Sequence, residues 1–196
     1  EELSGGICRL NLSPIINSGI APATVNRLFV LSANSHQGCV ESFERKLAAF
    51  RQWCVEGLFA FDIEELDDYL RDYKEKGYPP VSHSEEYRFA YAPAYRVIST
   101  KFQPYFELLC RIDRLRAKEQ TMSIAIDGNS CSGKTSLAYL LEQIYDCNVI
   151  HMDHFFLPFA LRNEARMSEA GGNIDYDRFS CEVLSGLESG TDFSYG

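Results

Sequence analysis

Hydrophobic positions along this chain keep one spacing up to about residue 120 and another after it. Upstream, Phe43, Leu47, Phe50, Cys54 and Leu58 recur at three- and four-residue steps through a charged stretch, as on one stripe of a helix. Asp62, three residues ahead of Glu65, forms a capping-box pattern. It predicts a second helix with Ile63, Leu66, Leu70 and Tyr73 inward and Gly77 as its stop. Gly77-Tyr78-Pro79-Pro80 reads as a turn. Ser82 with Glu85 predicts the cap of a further short helix, and Pro93 suits the first turn of the next. Phe102, Phe106, Leu109 and Ile112 carry helical spacing toward residue 117, with Pro104 kinking or splitting the segment. Residues 1–22 have weak periodicity and are expected to be mostly irregular. Residues 1–119 thus read as an all-helical region of no assigned role.

From residue 120 onward the pattern alternates. Met122–Asp127 reads as a short apolar strand closed by a glycine. Leu137, Leu140, Leu141 and Ile144 then fall on one face of a helix, and Cys147–Met152 reads as a second strand. Strand, helix and strand in this order predict a βαβ unit, and so a parallel sheet with a right-handed crossover. Gly171-Gly172 marks a loop, and Phe179, Val183, Leu184 and Leu187 form a last helical face stopped near Gly190. The expected domains are 1–119 and 120–196.

Composition narrows the partners. The net charge of −9 is uneven: residues 1–120 carry 17 acidic and 15 basic side chains, residues 121–196 carry 11 and 4. That balance argues against a nucleic-acid surface. Seven cysteines, none spaced C-x-x-C, suggest neither a disulfide framework nor a zinc site, and so a reducing, cytoplasmic setting. No eighteen-residue apolar run predicts a membrane span.

The residues richest in chemistry are Gly128-Asn129-Ser130-Cys131-Ser132-Gly133-Lys134-Thr135, followed by Ser136. Two glycines five apart, then lysine and threonine, fit the phosphate-binding loop pattern. Glycines let amide N–H groups curl toward phosphate oxygens, and the following helix adds the positive end of its dipole. Lys134 would neutralise phosphate charge and the Thr135 hydroxyl would ligate Mg²⁺. Asp153, after the second strand, reads either as a general base or as a turn residue. Tyr87, Arg88, Phe89, Tyr91, Tyr95 and Arg96 read as a ligand surface or, by preference, as a helix–helix core.

Three runs together resemble the uridine kinase/phosphoribulokinase group of P-loop kinases: Ile126–Thr135, His151-Met152-Asp153-His154-Phe155-Phe156-Leu157-Pro158, and Gly171-Gly172-Asn173-Ile174-Asp175-Tyr176. They are most similar to bacterial uridine kinase-like proteins, some of which carry a helical extension. The resemblance covers residues 121–196. It implies a P-loop NTPase parallel sheet, truncated here, with the native chain continuing past Gly196. It also implies ATP and Mg²⁺ as cofactors and γ-phosphate transfer to the hydroxyl of a nucleoside-like small molecule. By this resemblance Asp153 and Lys134 are catalytic, Gly128–Ser136 bind the nucleotide, Thr135 holds the metal, and Asp175 and Tyr176 contact the acceptor. Asp175 also reads as a helix N-cap. Other small alcohols as acceptors, or a nucleotide-binding regulator whose helical region engages a partner, remain as alternatives. Homo-oligomerisation stays open.

Overall fold

Strands form where the hydrophobic spacing is weakest, near the N-terminus. The computed structural model describes residues 1–35, 38–119 and 121–195, and the chain divides into two units, Glu1–Ile124 and Ala125–Gly196. Gln120, at the expected boundary, and Gly196 lie outside the described residues.

In the first unit, β1 (Glu2–Leu3) and β2 (Ile7–Asn11) form a hairpin through Ser4-Gly5-Gly6. There follow α1 (Ile15–Ser18), α2 (Pro22–Ser35), α3 (Val40–Val55), α4 (Ile63–Glu75) and α5 (Glu85–Tyr91). The chain then returns as β3 (Tyr95–Ser99), antiparallel to β2, with Cys8 opposite Ile98 and Arg9 opposite Val97. A 3₁₀ segment, Thr100–Tyr105, leads into α6 (Phe106–Arg116). The sheet order is β1-β2-β3. The expectation of an all-helical region is therefore corrected: residues 2–11 pair rather than wander, and Pro93 precedes a strand, not a helix. Five-residue strands carry too few alternations to announce themselves, and the pairing partner sits far along the chain.

Two buried polar contacts bind this unit. α2 packs on β3, burying Val25 and Leu28, and Cys8, Ile98, Phe102, Leu109 and Ile112 are also buried. The Ser32 hydroxyl donates to Leu28 O at 2.7 Å and accepts the Ser99 N–H at 2.7 Å, so helix and strand share one hydroxyl. Asp113 on α6 is only 5% exposed, and its Oδ2 accepts the Ala21 N–H at 2.7 Å. Ala21 precedes Pro22, the first residue of α2. Asp113 thus does, from a distant helix, what a capping-box acid does locally, and places negative charge at the positive end of α2.

The α3–α4 hairpin follows its sequence signals. Asp62 Oδ1 accepts the N–H groups of Glu64 and Glu65 at 2.9 and 3.0 Å. Both helices close in Schellman turns: Leu58 N–H reaches Trp53 O, and Tyr78 N–H reaches Tyr73 O. Arg51 grips Asp67 with two nitrogens, at 2.5 and 2.6 Å. Hydrogen bonds from Lys74 and then Tyr78 hold the Glu44 carboxyl below its usual value. The cap of α5 is Ser84, two residues beyond Ser82, its hydroxyl accepting the Tyr87 N–H at 3.1 Å.

The second unit has α7 (Lys134–Tyr145), 3₁₀ turns at Met152–Phe155 and Phe159–Leu161, and α8 (Glu164–Met167). These are followed by α9 (Tyr176–Phe179), a wide helical turn at Ser180–Leu184, and α10 (Ser185–Ser189), closed at Gly190. Among its described residues there is no strand, only an isolated antiparallel bridge between Phe156 and Ile174. Neither Met122–Asp127 nor Cys147–Met152 pairs, so the expected parallel sheet is absent among the described residues. A strand inside a parallel sheet is covered on both faces, yet Ile124 is 43% exposed. Short apolar runs do not by spacing alone specify a strand. Instead, Phe155, Ile174 and Val183 form a core cluster of this unit, with Ile150, Phe179 and Tyr195 against it, and Leu141, Ile144 and Leu157 are also buried.

Removing the Asp113 cap isolates its contribution. Asp113→Ala is expected to lower unfolding free energy by about 1–2 kcal/mol in urea denaturation. Asp113→Asn, which keeps an acceptor oxygen, should lose less.

Candidate functional site

The turn ahead of α7 is built from its own backbone. Asp127 Oδ1 accepts the Gly128 N–H at 2.7 Å, and Ser132 N–H closes onto Asn129 O at 3.2 Å. Gly133 is the N-cap residue of α7 at φ 89°, a left-handed conformation that costs glycine little and other residues more. No side chain caps this helix. The first-turn N–H groups of Lys134, Thr135 and Ser136 accordingly have no acceptor among the described residues. Lys134 folds back, its Nζ donating to Gly128 O and Asn129 O at 2.8 Å each. Among the described residues no carboxylate pairs with this ammonium. Asn129, Ser130, Cys131, Ser132, Thr135 and Ser136 are all exposed. Uncapped backbone donors and one cation share this exposed turn, a combination that suits an oxyanion.

Of the other expected site residues, Asp175 and Tyr176 have structural occupations. Asp175 is the N-cap of α9, with Oδ1 accepting the Arg178 N–H at 3.0 Å, and its own N–H donates to Phe155 O at 2.6 Å. That bond seats the Asp175 cap beside the Met152–Phe155 turn carrying Asp153. Asp153 is exposed, and the turn closes through His154 N–H to His151 O at 3.1 Å. The Tyr176 hydroxyl donates to Ala170 O at 3.1 Å, and the Arg166 guanidinium lies 5.0 Å from its ring centre. Gly172 packs so closely on the Arg166 carbonyl that a β-carbon would collide with it. No hydrogen bond or ion pair links Gly128–Ser136 to Asp153 or Asp175 among the described residues.

Arg178 was not singled out by sequence. It donates to Glu182 Oε1 at 2.8 Å and to His154 O at 2.8 Å, and covers the Phe155 ring at 4.9 Å. Its four-residue spacing to Glu182 was the available signal. In the first unit, the Tyr87–Arg96 cluster is not the expected helix–helix core: Phe89 is 95% exposed. His83 stacks on Tyr87 at 4.6 Å and bonds the Tyr95 hydroxyl at 3.1 Å. A cavity of about 540 Å³ opens there, lined by His83, Arg88, Ala92, Pro93, Tyr95 and Arg96.

The kinase expectation is overturned by this architecture. A P-loop kinase sets its phosphate loop and catalytic acids on the strand ends of a multi-stranded parallel sheet. Here the sheet is antiparallel, lies within residues 2–99, and supplies none of those positions. The uridine kinase/phosphoribulokinase membership, the phosphoryl transfer, the nucleoside-like acceptor and the regulatory nucleotide-binding alternative lose their basis together. ATP and Mg²⁺ go with them, since no group of three His, Cys, Asp or Glu side chains among the described residues could hold a metal. No helix among the described residues is long and apolar enough to cross a membrane. No protein-family model matches the chain, and neither does any curated protein or solved structure compared with it.

The cap at Asp175 can be separated from any ligand role. Asp175→Ala is expected to cost about 1 kcal/mol and to speed amide exchange in residues 176–184. Asp175→Asn should keep both near wild type, as read by hydrogen exchange with mass spectrometry.

Proposed function

We propose that Gly128–Ser136 binds a phosphate-type oxyanion, as a recognition element. The observation that carries this reading is Lys134: its ammonium is pinned by two loop carbonyls at 2.8 Å, beside the uncapped first turn of α7. Both donor types favour an anion, the amides by direction and the lysine by charge. The surround is acidic, with 11 acidic against 4 basic side chains in residues 121–196. Attraction must therefore come from these local donors, and binding should depend steeply on them. Asp175 and Tyr176 are engaged by their own loop, so the site comprises the turn and helix start alone. Seven cysteines, none spaced C-x-x-C, fit a reducing compartment for the protein.

Isothermal titration with inorganic pyrophosphate tests the proposal. Lys134→Ala should weaken binding at least about tenfold, and Gly133→Val, which strains the left-handed N-cap, should also weaken it. Equal affinity in wild type and Lys134→Ala, with circular dichroism unchanged, would contradict the assignment.

A further inference from the structure

The antiparallel register fixes which backbone groups of β3 are used. Leu12 N–H donates to Ala94 O at 2.8 Å and Thr100 N–H donates to Gly6 O at 2.9 Å. Hydrogen-bonded pairs recur at every second residue in such a ladder, so Ala94, Arg96, Ile98 and Thr100 face β2. Tyr95, Val97 and Ser99 consequently aim their N–H and C=O groups away from it. One outward donor, Ser99 N–H, is taken by the Ser32 hydroxyl. The outward groups of Tyr95 and Val97 have no partner among the described residues. β3 is thus open along Tyr95–Val97, with α2 closing the Ser99 end, and such an open stretch accepts an added strand.

What would add there is indicated by charge. The cavity of about 540 Å³ lies at the Tyr95 end of the same edge and is lined by Arg88 and Arg96 together with His83. Neither arginine pairs with a carboxylate among the described residues, a state that they share with Arg45, Arg111, Arg114 and Arg162. The Arg96 guanidinium lies 5.3 Å from the Phe29 ring centre, stacked on an aromatic face that leaves its nitrogens available. In a chain of net charge −9, two uncompensated arginines beside an open strand edge select a negatively charged occupant.

The geometry points to a peptide-docking site on the first unit: an extended acidic segment of a partner protein pairs with Tyr95 and Val97 and places a carboxylate against Arg88 and Arg96. This site is independent of the oxyanion turn. Backbone pairing supplies affinity in this mode, and the side-chain pocket supplies selectivity. The outward N–H of Val97 is not used by the sheet, so its loss leaves the β2–β3 ladder whole.

Fluorescence anisotropy with a labelled peptide of alternating valine and glutamate tests the proposal on the full chain. The expected result is saturable binding, weakened at least about tenfold by Arg88→Glu and by Arg96→Glu. A valine–lysine peptide should bind at least about tenfold less tightly. Methylating alternate backbone amides of the peptide gives two versions: one should lose binding and the other keep it, with no change to the protein. Val97→Pro should act like the first. No binding at ~1 mM, equal binding of the two methylated peptides, or insensitivity to both arginines would overturn the proposal. So would a sedimentation result showing that the edge is already filled by a second copy in a Val97-dependent dimer.

Discussion

A carboxylate shielded from water must find its hydrogen bonds inside the protein, and Asp113 finds one at the N–H of Ala21. That contact fixes where α2 begins relative to α6, and so which side of α2 meets β3. Ser32 then falls within reach of Ser99, and the shared hydroxyl sets the helix against the last residue of the strand. Register follows from there, because β3 can pair with β2 in the observed phase only while its outward groups face away. The open positions at Tyr95 and Val97 are a consequence of the same chain of contacts.

The second unit is governed by a different constraint. Its core is small, centred on Phe155, Ile174 and Val183, and is pinned by backbone bonds across the Phe156–Ile174 bridge. Arg178 reinforces it by covering Phe155 and tying Glu182 to the His154 carbonyl. Nothing in this arrangement calls for a sheet behind the Gly128–Lys134 turn. The turn is ordered by its own short-range bonds, from Asp127 to Gly128 and from Lys134 to the loop carbonyls. A phosphate-loop sequence can therefore present an oxyanion-compatible surface locally, while the activity that such a loop serves elsewhere depends on a fold that is not built here.

Legibility in the sequence followed the range of the interactions. α4 was readable because its cap, its apolar stripe and its glycine stop all lie within a few turns of one another, and the Pro104 break was readable for the same reason. α7 and the stop at Gly190 were also local matters. β2 and β3 were not, since their stability comes from a partner across most of the first unit. Met122–Asp127 misled in the opposite direction: an apolar run bounded by glycine has the composition of a strand, and only a neighbour makes it one. In the site, the spacing of Gly128, Gly133 and Lys134 was informative about the turn. The implied roles of Asp153 and Asp175 leaned on tertiary context that composition cannot supply, and Asp175 proved to be the cap its position also allowed.

The central claim, that the start of α7 and its preceding turn form an oxyanion site, is most directly tested by amide NMR during titration with inorganic phosphate. The amide signals of Gly133, Lys134, Thr135 and Ser136 are expected to shift together along one saturable curve. Shifts absent from Gly128–Ser136, or scattered over both units with no common curve, would contradict it.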